Sequence, residues 1–248
     1  GVLLMDWLLT MAEERGEKPQ DKVAVSTIVS SAMPDVLARA RGFEMRRVLT
    51  GFKYIGDQID QLKDAGEEDR FLMGFEESYG YLVGTHARDK DAIVATMLCV
   101  EMASWYAARN MDLYEAMDAL YQRYGYYLNG VVNAAYPGAE GAAKMAQIMS
   151  SLRKNPLEMV GNYKVVGVTD YAECAEMPRV SGLQKEAPQT LPASNVIEYR
   201  LEGDNKVIFR PSGTEPKVKA YLFANGATRE EAEARIAELS EAAQQVLS

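Results

Sequence analysis

The chain has 248 residues, of which 48% are hydrophobic and 25% charged, a length that suits one large or two modest globular domains. The formal net charge of −9 excludes the broad basic surface that nucleic-acid binding requires. No apolar run reaches the roughly 20 residues of a membrane span, and the first residues lack the basic start of a signal peptide.

Few residues suited to disulfides or metals are present. The cysteines, Cys99 and Cys174, do not make a disulfide framework, and a single histidine, His86, excludes a multi-histidine metal site. Cys99 lies in an apolar helical run, which predicts a buried free thiol. This cysteine usage predicts a reducing, cytoplasmic location.

Helices and strands alternate in the first half of the chain. The hydrophobic periodicity predicts helices at 2–14, 34–40, 55–65, 91–108 and 113–124, and strands at 22–27, 43–49 and 71–75. Strands that alternate with helices indicate a parallel sheet covered on both faces.

The pattern weakens after residue 124 and then changes. A helix is predicted near 142–153, strands near 163–168, 196–201, 207–209 and 218–223, and a closing helix at 229–246. The predicted fold is α/β: a three-layer parallel-sheet domain followed by a smaller two-layer α+β domain. The predicted boundaries are 1–135 for the first domain, 136–160 for a linker and 161–248 for the second domain.

Anion-binding groups are concentrated in one loop of the second domain. Arg210 offers a planar fork of donors, Ser212 and Thr214 offer hydroxyls, and Gly213 lets backbone N–H groups approach an anion. On the strand that follows, Lys217 and Lys219 project from one face. The composition favours a phosphorylated small molecule, and the alternative is an ordinary hairpin turn.

A second motif, Gly-Phe-Glu-Glu-Ser-Tyr-Gly at residues 74–80, follows a predicted strand. In α/β sheets ligands bind at the carboxyl ends of the strands. Glu76, Glu77 and Ser78 carry the acceptors and the hydroxyl that sugar hydroxyls require. A solvated acidic loop and general acid–base chemistry remain alternatives.

Two shorter segments carry basic residues close to the start of a predicted helix. Thr-Gly-Phe-Lys at 50–53 follows a strand and places a lysine at a helix entry, which suits an anion or a polyol. Arg88 and Lys90 precede a helix and suit an anion, although Asp89 or Asp91 is expected to cap that helix. His86 is interpreted as a structural or rim residue.

Together these motifs resemble the α-D-phosphohexomutase superfamily, with bacterial phosphoglucomutase/phosphomannomutase as the nearest likeness. The specific motifs are Arg-x-Ser-Gly-Thr-Glu-Pro from 210 and Gly-Phe-Glu-Glu-Ser-Tyr-Gly from 74; Thr-Gly-Phe-Lys is supportive. The resemblance covers essentially the whole chain, as the third and fourth domains of the family. It implies an isomerase of carbohydrate metabolism that moves a phosphoryl group between O1 and O6 of a hexose. A phosphoserine, a bound Mg²⁺ and a sugar 1,6-bisphosphate intermediate take part.

The resemblance also implies roles for individual residues. Glu76 and Ser78 are expected to contact the sugar. Thr50, Gly51 and Lys53 are expected to help select the sugar, and Lys90 and Arg88 are expected to lie near the substrate. Arg210, Ser212, Gly213 and Thr214 are expected to bind the phosphate that is not reacting. Members of the family often have arginine at the position of Lys219. The lysine ammonium is a point charge, whereas an arginine guanidinium offers a planar fork of donors.

Two family motifs are missing from the 248 residues: the serine loop of Thr-Ala-Ser-His-Asn-Pro type and the metal loop of Asp-x-Asp-x-Asp-Arg type. Because Gly1 also begins inside a helical pattern, the sequence predicts an inactive C-terminal fragment whose partners are the N-terminal domains of the same protein. Mg²⁺ and glucose 1,6-bisphosphate then belong to the full-length enzyme, with no metal bound by this part. The alternatives are a stand-alone phosphosugar-binding or regulatory module, and phosphopentomutase or phosphoglucosamine mutase specificity.

Overall fold

The computed structural model describes residues 1–138, 140–172, 191–213 and 215–248. These residues form two compact units, Gly1–Gly125 and Tyr126–Ser248. Thr214 and Cys174, which the sequence analysis discusses, lie outside the described residues.

The first unit is built on a small sheet. Its strands are β1 (Val23–Thr27), β2 (Glu44–Val48), β3 (Phe71–Phe75) and β4 (Tyr81–Leu82), in the order β2-β1-β3-β4. The first three are parallel, and β4 runs antiparallel to β3. Its helices are α1 (Val2–Glu14), α2 (Met33–Arg41), α3 (Phe52–Asp64), α4 (Ala92–Ala107) and α5 (Leu113–Tyr124).

Helices cover both faces of this sheet. On one face the apolar stripe of α3, with Ile55 and Ile59 fully buried, packs on Val23 and Val25 of β1. On the other, α1 packs against β3 and contacts α2, α4 and α5. The predicted three-layer α/β architecture is confirmed.

The second unit is a two-layer α+β structure. Its strands are β5 (Tyr126–Ala135), β6 (Met159–Val160), β7 (Tyr163–Asp170), β8 (Ile197–Leu201), β9 (Lys206–Pro211) and β10 (Lys217–Gly226). They form an antiparallel sheet in the order β5-β10-β9-β8-β7-β6. Helices α6 (Gly141–Lys154) and α7 (Arg229–Leu247) bury their apolar faces in one core with the inner side of this sheet.

The structure divides the chain earlier than the sequence analysis does. Residues 126–135, assigned to the first domain, form β5, which pairs with β10 along its whole length. Residues 136–160, assigned to a linker, include α6, whose Met149 and Leu152 belong to the core of the second unit. The sequence signal of β5 is weak because it is an edge strand on which only Val132 is buried.

Helix α4 is apolar but exposes much of its surface. The exposed fractions are 84% for Ile93, 61% for Val100 and 52% for Met97. The prediction that Cys99 is a buried thiol is wrong, because this face of the helix is uncovered and the thiol is exposed. In the described part of the chain, no helix combines the length and apolarity needed to cross a bilayer.

The packing of β3 on α3 allows a steric test. Gly74→Ala is expected to destabilise the first unit by about 1–3 kcal/mol, because the added methyl group would overlap Cγ2 of Ile55. Ile55 is β-branched and fully buried, so its side chain has little freedom to move. Urea denaturation measures the change in the free energy of unfolding.

The control for this test is Gly213→Ala, because nothing lies within 4 Å of a methyl group added there. In an Ile55→Ala background, which removes Cγ2, the Gly74→Ala change should cost much less. An equal cost in both backgrounds would contradict the steric explanation.

Candidate functional site

Two of the predicted motifs meet at the carboxyl edge of the first sheet. The loop after β2 contains Thr50 and Gly51, and the loop after β3 contains Glu76. The backbone N–H of Gly51 donates a hydrogen bond to Oε1 of Glu76 at 3.0 Å. Because β2 and β3 both run parallel to β1, their carboxyl ends lie at the same edge, where ligands bind in such sheets.

The loop after β3 is a tight turn. The N–H of Glu76 donates to the carbonyl of Gly80 at 2.9 Å. Between them Tyr79 adopts the left-handed conformation, with φ 64°, and its side chain is 89% exposed. The hydroxyl of Ser78 is also exposed and makes no hydrogen bond to any described residue. The turn therefore leaves the Ser78 hydroxyl accessible to solvent.

Glu76 is a buried carboxylate, 7% exposed. Burial raises the pKa of its carboxyl group above the ordinary value, and the Gly51 N–H opposes that shift. The negative charge of Glu77 raises the pKa further, while the Lys90 ammonium lowers it. With Oε1 bonded to Gly51, Oε2 is the oxygen available to accept from a ligand.

Lys90 lies over the same turn. A Cβ added at Gly80 would overlap the Lys90 side chain and lie 3.1 Å from Oε2 of Glu76, so Lys90 would have to move if Gly80 carried a side chain. The Lys90 ammonium donates to Oδ1 of Asp89 at 2.6 Å and lies 5.2 Å from the centre of the Phe52 ring. The structure thus brings Lys90 together with Glu76 and the 50–53 loop.

Lys53 is exposed in the first turn of α3, with its ammonium 4.8 Å from the centre of the Tyr54 ring. It forms no ion pair with any residue that the structure describes. Its ammonium group is therefore accessible to solvent, and the predicted anion or polyol contact stays a prediction.

Arg88 is placed differently. Its Nε donates to Asp60 at 2.7 Å, one terminal nitrogen donates to the carbonyls of Thr85 and Ala87, and the other lies 3.8 Å from Glu68. All three nitrogens face protein acceptors, so this geometry adds no support to the predicted ligand role of Arg88.

The helix cap near Arg88 follows the prediction. Asp91 accepts from the N–H groups of Ile93 and Val94 at the start of α4. His86 pairs with the other oxygen of Asp91 at 2.9 Å, which agrees with its interpretation as a structural residue.

The sequence analysis missed the loop after β1. The hydroxyl of Thr27 donates to Oε2 of Glu77 at 3.0 Å, and Ser30 lies 3.4 Å from the same oxygen. The signal in the sequence is the adjacent pair Ser26 and Thr27 at the end of a predicted strand. Neither of these residues belongs to a recognised motif, so the sequence did not predict this contact.

In the second unit, two cations lie side by side. Arg210 on β9 is directly opposite Lys219 on β10, so both project from one face of the sheet. Neither forms a hydrogen bond or an ion pair with any residue that the structure describes. Glu215 is within electrostatic range of Lys219 but is ion-paired with Lys217. Like charges at opposed positions repel, so this pair favours an anionic ligand.

The rest of the phosphate motif closes the hairpin between β9 and β10. The N–H of Ser212 donates to the carbonyl of Lys217 at 2.8 Å. The space around Gly213 is open, since a Cβ there would meet nothing within 4 Å. Asn133 on β5, also opposite Lys219, adds an exposed amide that the sequence analysis missed because β5 was not predicted.

The described residues form two large surface grooves, which differ in their position relative to the predicted site residues. A groove of about 430 Å³ adjoins the Glu76 turn and is lined by Tyr79, Tyr81 and Lys90 together with α4. A larger one, about 780 Å³, lies between α6 and β7 and contains none of the predicted residues.

Among the described residues, no three His, Cys, Asp or Glu side chains are grouped as metal ligands. These residues instead offer hydrogen-bond donors, hydrogen-bond acceptors and exposed cations.

Comparison with known proteins agrees with these observations. Residues 3–124 match the family model of phosphoglucomutase/phosphomannomutase, alpha/beta/alpha domain III. The phosphoglucomutase of Staphylococcus haemolyticus is 32% identical over 225 residues, and that of Staphylococcus aureus strain RF122 is 33% identical over 224. The chain belongs to the α-D-phosphohexomutase superfamily. These matches cover 91% and 90% of this chain but only 39% and 38% of the relatives.

Solved structures of the superfamily share the fold. Parafusin, a phosphoglucomutase from Paramecium, matches 99% of this chain and 40% of its own length, with a TM-score of 0.67 and 18% identity. A phosphomannomutase homologue from Thermus thermophilus matches 99% and 40%, with a TM-score of 0.60 and 17% identity. At these identities the likeness concerns the fold alone.

The buried carboxylate makes stability depend on pH. Since the folded state holds the Glu76 proton more tightly than the unfolded state, wild-type stability should fall as pH rises from the ordinary pKa of about 4.3 through the raised value. Glu76→Gln, whose amide oxygen can still accept from Gly51, should be more stable than wild type at neutral pH. This advantage should vanish near pH 4.

Thermal unfolding across a pH series measures this difference. Glu101→Gln, which removes an exposed carboxylate from α4, is the matched control and should show no such trend. A Glu76→Gln advantage of equal size at every pH would show that ionisation is not its cause.

Proposed function

We propose that this chain is the substrate-recognising part of a phosphohexomutase. The full enzyme would be a phosphoglucomutase/phosphomannomutase that interconverts hexose 1-phosphate and hexose 6-phosphate, with glucose preferred. The reaction would pass through a phosphoserine enzyme and a sugar 1,6-bisphosphate. The observation that carries the proposal is that Arg210 and Lys219 lie opposite each other beside the Ser212–Gly213 turn, with no bond from either to a protein anion in the described part of the chain.

The second unit would hold the phosphate that is not reacting. A guanidinium can donate two parallel hydrogen bonds to a phosphate, and an ammonium beside it adds a point charge. Each charge-assisted hydrogen bond contributes about 1.5–3 kcal/mol. Thr214 remains part of this proposed set from its place in the motif. A phosphate here would also relieve the repulsion between the two cations.

The first unit would hold the sugar ring. Oε2 of Glu76 can accept from a sugar hydroxyl, and Ser78 can both donate and accept. Thr50 and Gly51 lie in the loop bonded to Glu76, and Lys53 lies in the first turn of the helix that follows, which supports a role for all three in choosing the sugar. Lys90, whose charge acts on the Glu76 carboxyl, would lie beside the ring.

This division of tasks suits phosphoryl transfer. The reaction depends mostly on holding the reacting oxygen in line with the phosphoryl donor and on neutralising charge. Anchoring the sugar through its remote phosphate and two hydroxyls would fix that oxygen. The described residues of this chain would therefore contribute orientation, while the bond-making groups would lie in the remainder of the enzyme.

The exposed face of α4 supports a partner within the same enzyme. Ile93, Met97 and Val100 expose apolar side chains beside the groove at the Glu76 turn. Contiguous apolar surface of this kind marks an interaction site. Since the chain spans about two fifths of its curated relatives, we propose the other domains of a phosphohexomutase as the partner.

The phosphate role leads to a mutational prediction. In the complete mutase, Arg210→Ala should reduce kcat/KM for glucose 1-phosphate by about 10- to 100-fold, the loss expected for one or more charge-assisted hydrogen bonds. Steady-state kinetics with a panel of hexose and pentose 1-phosphates measures the effect and the sugar preference together.

The matched control is Lys154→Ala, which removes one exposed positive charge from the same unit at the end of α6. It should leave kcat/KM unchanged. Unchanged kinetics in the Arg210→Ala enzyme would remove the phosphate role from the loop.

The chain alone should be inactive. The 248 residues contain neither the serine loop nor the metal loop of the family. A coupled assay for glucose 6-phosphate should therefore detect no turnover, and titration calorimetry should detect only weak binding of hexose phosphate, because a partial cleft encloses little of a ligand. Mutase activity in the purified chain would contradict the proposal. Micromolar or tighter binding without turnover would instead favour a phosphosugar-binding module.

A further inference from the structure

The sugar-binding loop contains two consecutive glutamates that face different partners. Glu76 bonds to Gly51 in the loop after β2. Glu77 bonds to Thr27, at the end of β1, and lies close to Ser30 just beyond it. The motif alone does not distinguish these two carboxylates, but the tertiary structure assigns them to separate neighbours.

The partners of Glu77 are buried. Thr27 is 0% exposed and Ser30 is 2% exposed, and their hydroxyl oxygens lie 2.9 Å apart. A carboxylate can only accept, so at least one hydroxyl must donate to it while the other donates to its neighbour or to the same oxygen. Hydrogen bonds to a charged acceptor are the stronger kind. The Glu77 side chain is thus fixed by a small hydroxyl cluster.

This cluster belongs to a rigid support. Arg47 on β2 donates to the carbonyl of Thr27 at 3.0 Å and to that of Ser31 at 2.6 Å, and it forms an ion pair with Asp35. Ser26 donates to the carbonyl of Phe75, at the end of β3, at 2.8 Å. The loop after β1 is therefore held by both neighbouring strands.

The sugar-binding turn, by contrast, has little packing of its own. Ser78 and Tyr79 are exposed, and Tyr79 has a left-handed backbone conformation that is costly for a residue with a side chain. Such a turn persists only when its surroundings hold it. Among the described residues, the side-chain bonds that anchor it are those of Glu76 to Gly51 and of Glu77 to Thr27 and Ser30.

We propose that Glu77 is a positioning residue whose bonds to Thr27 and Ser30 hold the turn in the conformation that presents Glu76 and Ser78 to the sugar. The inference rests on the proposed function for its ligand. Glu77 itself would not touch the sugar. A ligand engages the Glu76 carboxylate, so the anchor through Glu77 is the one that remains independent of ligand binding.

Hydrogen–deuterium exchange tests the anchor without any ligand. In the 248-residue chain, Thr27→Val keeps the side-chain volume but removes the donor, and it should speed amide exchange in the 76–80 turn about tenfold or more. Thr27→Ser, which keeps the hydroxyl, should stay near wild type. Thr10→Val is the matched control, because it removes a hydroxyl that donates to the Asp6 carbonyl within α1 and accepts from Arg41 of α2.

A double-mutant cycle then shows whether the residues act through each other. If they do, Glu77→Ala combined with Thr27→Val should loosen the turn no more than Glu77→Ala alone, because Glu77→Ala already removes the bonds to Thr27 and Ser30. Ser30→Ala provides a milder change in case the Thr27 variant folds poorly. Exchange in the turn that is unchanged by Thr27→Val or Ser30→Ala, or additive effects in the cycle, would overturn the positioning role.

Kinetics of the complete mutase separate positioning from mere stability. Thr27→Val and Glu77→Ala should raise KM for glucose 1-phosphate about tenfold, with the larger part of the change in KM rather than kcat. Loss of folded enzyme alone would lower the rate without moving KM, and that result would overturn the inference. A wild-type mutase that handles no hexose phosphate, together with a loosened turn, would instead overturn the proposed function and leave the anchor intact.

Discussion

The parallel pairing of β1 with β2 on one side and β3 on the other is the constraint on which the first unit depends. It brings three carboxyl ends to one edge of the sheet. The loops that follow are then close enough to exchange hydrogen bonds, although up to 50 residues separate the partners in sequence. The bonds of Glu76 to Gly51 and of Glu77 to Thr27 follow from that arrangement.

The two units handle charge in different ways. In the first, a carboxylate is buried and partly compensated by a backbone N–H and a nearby ammonium, which leaves its proton held more tightly than usual. In the second, two cations face each other on neighbouring strands without a protein anion bonded to either among the described residues. Both arrangements are expected to reduce the stability of the free protein, which agrees with the binding roles proposed for them.

The hydroxyl cluster around Glu77 illustrates how a loop can be precise without being buried. Ser78 and Tyr79 lie in solvent, yet the residues on which their turn depends are almost completely covered. In the proposed arrangement, the hydrogen bonds of Thr27 and Ser30 to Glu77 would hold a turn that has no core of its own. Short polar side chains suit this task because they have few rotatable bonds to order.

The amino-acid sequence by itself determined most of the elements, the α/β character of the first unit and the superfamily. Strong periodicity in segments such as α3 and all-apolar β3 leaves little choice of local structure, and the Arg210 and Glu76 motifs are specific. The tertiary structure decided what local pattern cannot carry: that β5 completes the second sheet, that Cys99 is exposed, that Arg88 is used within the protein, and that Glu76 and Glu77 have different partners. Each of these features depends on which residues from distant parts of the chain pack against the segment. The composition of a single segment does not specify those neighbours.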